Sequence, residues 1–321
     1  MTDQNPRPEG QEAETYRAGY VALIGAPNVG KSTLLNQILG QKLSITSRKP
    51  QTTRNRVMGI HNGPNQQVIF IDTPGIHRSD QRLNHAMVRA AVLAMEGVDV
   101  VCWLIDAVFA ARAVKEGLPV IGRHQEAVIE RLGENTAPIL LVPNKVDVIE
   151  RELLLPIIDA YQQRIDLSGV VPISALNGSN VDVLLEQVGE RLPAGSPFFP
   201  EDQLTDVDER FVVSEIIREK VFHLTHKEIP YSTAVVVDSF DEEEREGDRP
   251  FVRIHAKIVL ERSSQKGIVI GKGGVMLKRI GTMARREIES LLGAHVYLEL
   301  LVSVDPNWTS NARSLHEFGY D

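Results

Sequence analysis

The chain has one cysteine in 321 residues. No internal disulfide can form, which suits a reducing compartment. Cys102 sits in the apolar run Val98 to Ile105 and reads as inert core. No apolar run approaches the roughly 20 residues needed to cross a membrane. The N-terminus lacks the basic-then-apolar pattern of a secretory signal, so a cytoplasmic location is expected. Basic residues are in deficit: 35 Lys and Arg stand against 43 Asp and Glu, a net charge of −8. Read over the whole chain, that argues against a polyanionic partner, unless the charge is unevenly spread. Apolar residues at 42% and charged residues at 24% are enough for a proper core, and the length suggests two domains.

The organising stretch is Gly25-Ala26-Pro27-Asn28-Val29-Gly30-Lys31-Ser32. It fits the phosphate-binding loop G-x-x-x-x-G-K-[ST]. Gly25 and Gly30 allow turns that a Cβ would obstruct. The loop's N–H groups, Val29 to Thr33 among them, then point at a phosphate beside a helix N-terminus. Lys31 reaches the β- and γ-phosphates, and Ser32 offers a hydroxyl to Mg²⁺. The context agrees: the apolar run Tyr20 to Ile24 precedes the loop, and a helical apolar pattern from Ser32 to Leu39 follows it.

Residues 1 to about 17 are polar, with Pro6, Pro8 and Gly10, and read as a disordered tail. From Ala18 strands and helices alternate. Parallel strands are expected at Val68–Ile71, Val98–Ile105, Ile139–Val142 and Val170–Ile173, with an edge strand over Arg56–His61. Helices are expected at about Asn84–Glu96, His124–Leu132, Glu152–Gln162 and Val181–Arg191. That alternation predicts a doubly wound, mostly parallel α/β sheet, with ligands at the C-terminal ends of its strands.

The remaining motifs sit at those ends. Asp72-Thr73-Pro74-Gly75 can hold Mg²⁺ through Asp72 and bond a γ-phosphate through the Gly75 N–H. Asn144-Lys145-Val146-Asp147 can read a base. An ionised Asp147 only accepts hydrogen bonds. Guanine offers it N1–H and N2–H₂; adenine offers neither, so the pairing selects guanine. Lys145 is expected over the base and against the phosphate loop. In Ser174-Ala175-Leu176 the Ala175 N–H can reach the guanine O6. Between the phosphate loop and Asp72, Thr52 and Thr53 are both candidates for a second Mg²⁺ hydroxyl.

These five elements, in this order, resemble the translation-factor-related GTPases and specifically the Era-like family, over about Ala18 to Leu192. The family places the Mg²⁺ threonine just before an arginine, which favours Thr53 ahead of Arg54. The resemblance implies GTP and GDP as ligands, hydrolysis of GTP, and Lys31, Thr53 and Gly75 as the catalytic set. One departure from Ras-like GTPases matters: the position after Gly75 is Ile76 rather than a water-orienting glutamine. In related proteins an asparagine at the Asn28 position helps hold K⁺ against the phosphates; the other reading is that Asn28 only shapes the loop.

Past Leu192, Pro193 to Pro200 and the acids from Glu201 to Glu209 read as an inter-domain linker. A helix is expected over Phe211–Leu224, strands over Thr233–Val237 and Phe251–Leu260, an acidic turn over Asp241–Asp248, a helix over Gly274–Leu292, a strand over His295–Val304 and a helix over Asn311–Phe318. Within them lies Ile268-Val269-Ile270-Gly271-Lys272-Gly273-Gly274, an apolar turn followed by Gly-x-x-Gly. That is the signature of a KH domain, whose loop clamps a nucleic-acid backbone. Ile268, Val269 and Ile270 read as either a groove wall or core. Lys272 and Lys278 supply charge. Trp308 reads as a base platform or a packing anchor. From Arg249 to Arg286 there are ten Lys and Arg residues, and Glu261 is the only acid, an electrostatic footprint for a polyanion.

The expected architecture is therefore a tail (1–17), a P-loop GTPase domain (18–195), a linker (196–208) and a smaller α+β KH domain of prokaryotic type (209–321). The family resemblance implies a monomer that holds the 3′ end of small-subunit ribosomal RNA during 30S assembly, with peripheral association at the inner membrane face. The alternative is a nucleotide-gated RNA-binding module whose turnover is minor.

Overall fold

The structure is a computed structural model that describes residues 15–46, 49, 52–75, 82–133, 135–243 and 250–320. Gln51, Ile76, nearly all of the expected tail and most of the expected acidic turn lie outside these residues.

The first half builds β1 (Arg17–Gly25), α1 (Lys31–Leu39), β2 (Val57–Gly63), β3 (Gln66–Asp72), α2 (Arg82–Leu93), β4 (Val100–Asp106), α3 (Ala107–Glu116), α4 (Arg123–Leu132), β5 (Ile139–Asn144), α5 (Leu154–Gln162), β6 (Gly169–Val170) and α6 (Val181–Gly189). The sheet order is β2-β3-β1-β4-β5-β6. All neighbours are parallel except the β2–β3 edge pair. Central strands are buried on both faces, which is why β1, β4 and β5 read as unbroken apolar runs. Helices cover each side, giving two apolar layers in this half of the molecule.

Only Gly169–Val170 of the expected strand Val170–Ile173 forms a regular strand, but its pairing with β5 runs on. The Val171 and Ile173 N–H groups donate to the Leu141 (2.9 Å) and Pro143 (2.8 Å) carbonyls, and Pro172 lies between them, where the ladder to β5 needs no donor. The helix α3 is absent from the sequence reading. It starts where Asp106 caps it, accepting from the N–H groups of Val108 and Phe109. Its first residues continue the apolar run of β4, so periodicity alone does not mark the change of state.

Residues 196–208 are no free linker. The Gln67 side chain bonds the backbone of Phe198 and Phe199. Thr205 bridges Gly59 and bonds the Met58 carbonyl at 2.6 Å. The segment thus covers the open edge of β2, a common defence of an edge strand.

The second half builds α7 (Glu209–Leu224), β7 (Thr233–Glu243), β8 (Phe251–Leu260), α8 (Ser263–Ile270), α9 (Val275–Leu292), β9 (His295–Val304) and α10 (Ala312–Glu317). The sheet order is β7-β8-β9, antiparallel then parallel. The strand β7 runs to Glu243, so the first acids of the expected turn are paired strand residues. α7, α8 and α9 pack their apolar faces on one side of this sheet. On its other side, Trp308, Leu315 and Tyr320 close over Ala234 and Val259, together with Leu83 and Met87 of α2.

Candidate functional site: a nucleotide cleft and a basic groove

The loop from Gly25 to Gly30 wraps the N-terminal end of α1. Gly30 takes φ 102°, and a Cβ there would stand 2.2 Å from Asn144 Nδ2. Only glycine fits both demands. Asn144 is the hub of the cleft. Its Nδ2 donates to the Val29 carbonyl at 2.7 Å. Its Oδ1 accepts from the N–H groups of Lys145 (2.8 Å) and Ala175 (2.9 Å). One buried amide therefore joins the phosphate loop to both base-reading loops.

Lys145 has a left-handed backbone, and its ammonium bonds the Asn28 carbonyl (2.9 Å) and Asp106 Oδ2 (2.5 Å). The expected tie between the loops is present, and Asp106 is a partner that sequence reasoning missed. Its position at the C-terminal end of β4 was the available signal. Asp147 is exposed at the mouth of the cleft, and Leu176 beside it is 79% exposed. The Ala175 N–H donates to Asn144 Oδ1, and a base oxygen reaching it would share that donor.

Lys31 is buried, and its ammonium donates to the Gly25 (3.0 Å) and Ala26 (3.1 Å) carbonyls. Burial lowers its pKa to about 8, and Asp72 offsets only part of that. Ser32 and Thr53 hydroxyls meet at 2.6 Å, with Asp72 Oδ2 at 3.5 Å from Thr53. Burial pushes the Asp72 carboxyl above its ordinary range, against the pull of Lys31 and of the hydroxyls around it. Asp72 Oδ1 is buried with no hydrogen-bond partner among the described residues. A hard cation suits this set of two hydroxyls and a carboxylate oxygen, and Mg²⁺ fits. The three elements bring Thr53, not Thr52, to this point: the Thr52 carbonyl is instead held by Arg218. Gly75 packs so tightly on the phosphate loop that a Cβ would lie 2.6 Å from the Pro27 nitrogen.

These residues enclose a cleft of ≈ 580 Å³, lined among others by Asn28, Thr33, Gly75, Asp147 and Ser174. Gly25 and Val29 act behind it, through their carbonyls. One wall carries His223 of α7, which bonds the Thr46 carbonyl at 3.2 Å. The second half of the chain thus reaches the nucleotide cleft, and no local motif announced it.

In the second half, Gly271, Gly273 and Gly274 all have positive φ, from 62° to 81°, and form the loop joining α8 to α9. Beside the loop a groove of ≈ 500 Å³ runs between α9 and β9, lined by Gly274, Leu277, Lys278, Thr282, Arg285 and Tyr297, among others. The three apolar residues that read as groove wall or core are divided by the structure. Val269 is fully buried core, Ile268 is exposed and Ile270 is half-buried, and none of them lines the groove. Nor do Gly271, Lys272 or Gly273, which stand beside its end. The groove residues were legible as two i, i+4 rows, Gly274-Lys278-Thr282 and Leu277-Gly281-Arg285, on one helix face.

The basic stretch divides in space. Arg253 and Lys257 on β8 meet Glu243 and Asp238 across the sheet. Lys266, Lys272, Lys278, Arg279, Arg285 and Arg286 are exposed, and none has an ion pair among the described residues. The positive field therefore concentrates around the loop and α9.

Residues 20–145 match the family described as "50S ribosome-binding GTPase", and residues 228–309 match the KH domain family. The chain is 54% identical to GTPase Era of Geotalea uraniireducens over 306 residues, 95% of this chain and 98% of that one. It belongs to the Era GTPase family. GTPase Era of Geobacter metallireducens is 52% identical, over 95% of this chain and 98% of its own. Among solved structures, Era in complex with MgGDPNP and nucleotides 1506–1542 of 16S ribosomal RNA is similar with a TM-score of 0.87 at 41% identity, covering 95% of this chain and 99% of that one. An Aquifex aeolicus Era variant bound to GDP and AlF₄⁻ gives 0.84 at the same identity, with the same coverage of both chains. As an Era-family protein, the chain is a GTPase: a P-loop α/β domain followed by a KH domain.

Proposed function

We propose that this GTPase is a switch that binds small-subunit ribosomal RNA near its 3′ end and acts in 30S assembly. The observation that carries this reading is one chain holding a guanine-nucleotide cleft and a basic KH groove, in the arrangement of a relative solved with MgGDPNP and 16S RNA. We take the chain as a GTPase domain (18–195), a connecting segment (196–208) and a KH domain (209–321). Asp147, Lys145, Ser174, Ala175 and Leu176 hold guanine. The loop from Asn28 to Thr33 holds the phosphates. Ser32, Thr53 and Asp72 would hold Mg²⁺, whose charge offsets that on the β- and γ-phosphates. Lys31 and the Gly75 N–H stabilise charge that develops during hydrolysis. With Ile76 in the glutamine position, backbone groups orient the attacking water, and K⁺, which Asn28 would help hold, would add positive charge against the phosphates. Lys272, Lys278 and the loop glycines clamp the RNA backbone, and exposed Ile268 with half-buried Ile270 offers the RNA an apolar contact beside the loop. The protein works as a cytoplasmic monomer that touches the inner membrane face only peripherally; no helix among the described residues is long and apolar enough to cross a membrane.

The test is GTP turnover with and without a short single-stranded RNA copying the 3′ end of small-subunit RNA, in K⁺ and in Na⁺ buffer. Stimulation is expected, larger in K⁺, and lost when Gly271→Asp and Gly274→Asp set like charge against the clamp. Flat turnover with nucleotide-dependent RNA affinity would make the protein a nucleotide-gated binding module instead. Equal rates in the two buffers would remove K⁺ from the reading.

A further inference from the structure

Thr53 sits between two residues that the second half of the chain holds. On one side, buried Arg218 of α7 donates to the Thr52 carbonyl. On the other, Arg54 leaves the GTPase half altogether. Its guanidinium donates to the carbonyls of Thr233 (2.7 Å), Tyr231 (2.9 Å) and Pro230 (3.0 Å). It lies 5.5 to 6.0 Å from the ring centroids of Phe222, Trp308 and Tyr320. A guanidinium that is 3% exposed is costly to bury. Three carbonyls and three ring faces are the compensation, and all six come from the KH half.

The same aromatic group touches the other nucleotide-facing segment. Trp308 is fully buried, its indole N–H held by the Ser232 carbonyl at 3.0 Å, with Tyr320 stacked on it at 5.7 Å. Leu83 and Met87 of α2, the helix that follows the Asp72–Gly75 element, pack into this cluster. So the segment carrying Thr53 and the helix after Gly75 bear on one plate, formed by Trp308 and Tyr320.

We propose that Arg54 is a positioning residue for Thr53, and that the Trp308–Tyr320 plate reads both nucleotide-facing segments at once. This rests on the GTP-switch reading above and names the parts that carry it. Thr53 can hold the cation only while Arg54 lies in its slot. Arg54 fills the slot only while the KH half is docked as seen here. A nucleotide that keeps Thr53 in place therefore favours this docking by the difference in its affinity for the two states. Lysine cannot substitute, because one ammonium cannot lie flat between rings while bonding three carbonyls.

Trp308 is also the reporter. Trp103→Phe leaves it the only tryptophan, since the chain has two. Acrylamide quenching of the full-length Trp103→Phe protein is measured with Mg²⁺ and GDP, and with Mg²⁺ and a non-hydrolysable GTP analogue. Trp308 is expected to be shielded with the analogue and more accessible with GDP. Arg54→Lys and Thr53→Ala should lose the difference. Tyr320→Ala should lose it too, with Tyr320→Phe retaining it, which covers the case of an Arg54 variant that does not fold. Equal quenching in the two nucleotides overturns the inference, as does a difference that survives in both Arg54→Lys and Tyr320→Ala. If the difference behaves as expected but RNA affinity ignores the nucleotide, the linkage stands and the RNA-gating reading falls.

Discussion

At the residue scale, the cleft is built around groups whose charge is costly without a ligand. Lys31 has its pKa lowered to about 8 by burial, from 10.5. The phosphates of a nucleotide would restore the charged form. The sign follows: below pH 8 the empty site already holds the proton, and binding takes up none. Above it the proton is lost from the empty protein and must be regained. Calorimetry near pH 8.5, in buffers of different ionisation heat, should register uptake of about three-quarters of a proton on nucleotide binding, and almost none near pH 6.5. Affinity should fall by up to about tenfold per pH unit above that point. Proton uptake equal at both pH values would mean that Lys31 is not the titrating group. The same lowering bears on stability. The cost of burying charged Lys31 is fully present below pH 8 and fades as pH rises toward 10.5.

At the element scale, α7 is the joint between the halves. Glu219 on α7 accepts from Lys42 and Lys220 at 2.6 Å each, and from the Thr46 N–H at 3.3 Å. Lys42 and Lys220 also reach Glu287 on α9, the helix that lines the basic groove. Burial pushes the Glu219 carboxyl up, but the two ammonium groups outweigh it and hold it below its ordinary range. Glu219→Ala leaves two cations facing Glu287 alone, at a cost of about 3 kcal/mol. Because the charges join two halves, the loss should show as undocking. Limited proteolysis should cut the 40–50 segment faster, and urea unfolding should split into two steps. A single transition with unchanged cutting would mean that the apolar contacts carry the joint by themselves. The lowered Glu219 pKa gives the pH sense: its contribution is present above the ordinary carboxylate pKa and is lost as pH falls through the lowered value.

At the scale of the whole molecule, the two halves are joined by direct side-chain contacts, through Arg54, Lys42 and His223, and the proposed switch runs through them. Linkage then requires reciprocity. The factor by which the GTP analogue changes RNA affinity must equal the factor by which RNA changes affinity for the analogue, both taken relative to GDP. Two titrations with labelled RNA and labelled nucleotide check this, and unequal factors would point to a third bound species or to aggregation. The charge distribution makes the same point about scale. A net charge of −8 coexists with exposed cations around the loop and α9, so a polyanion meets a local field that the global sum hides.

The sequence by itself determined the nucleotide chemistry. Motifs such as Gly25–Ser32 and Asn144–Asp147 are contiguous because backbone N–H groups, a helix start and a strand end must coincide within a few residues. Local spacing therefore carries them. The alternation of strands and helices was legible for the same reason, and so was the KH loop. Thr53 was preferred over Thr52 only through family resemblance; the meeting of Ser32, Thr53 and Asp72 supplies the geometry. What tertiary structure alone decided lies between distant segments. Arg54 in a pocket made by residues 230–233, 308 and 320, His223 at the cleft wall, and residues 198–205 along β2 follow no local period. Long-range packing places them, and a single sequence holds no register for which distant surfaces will meet.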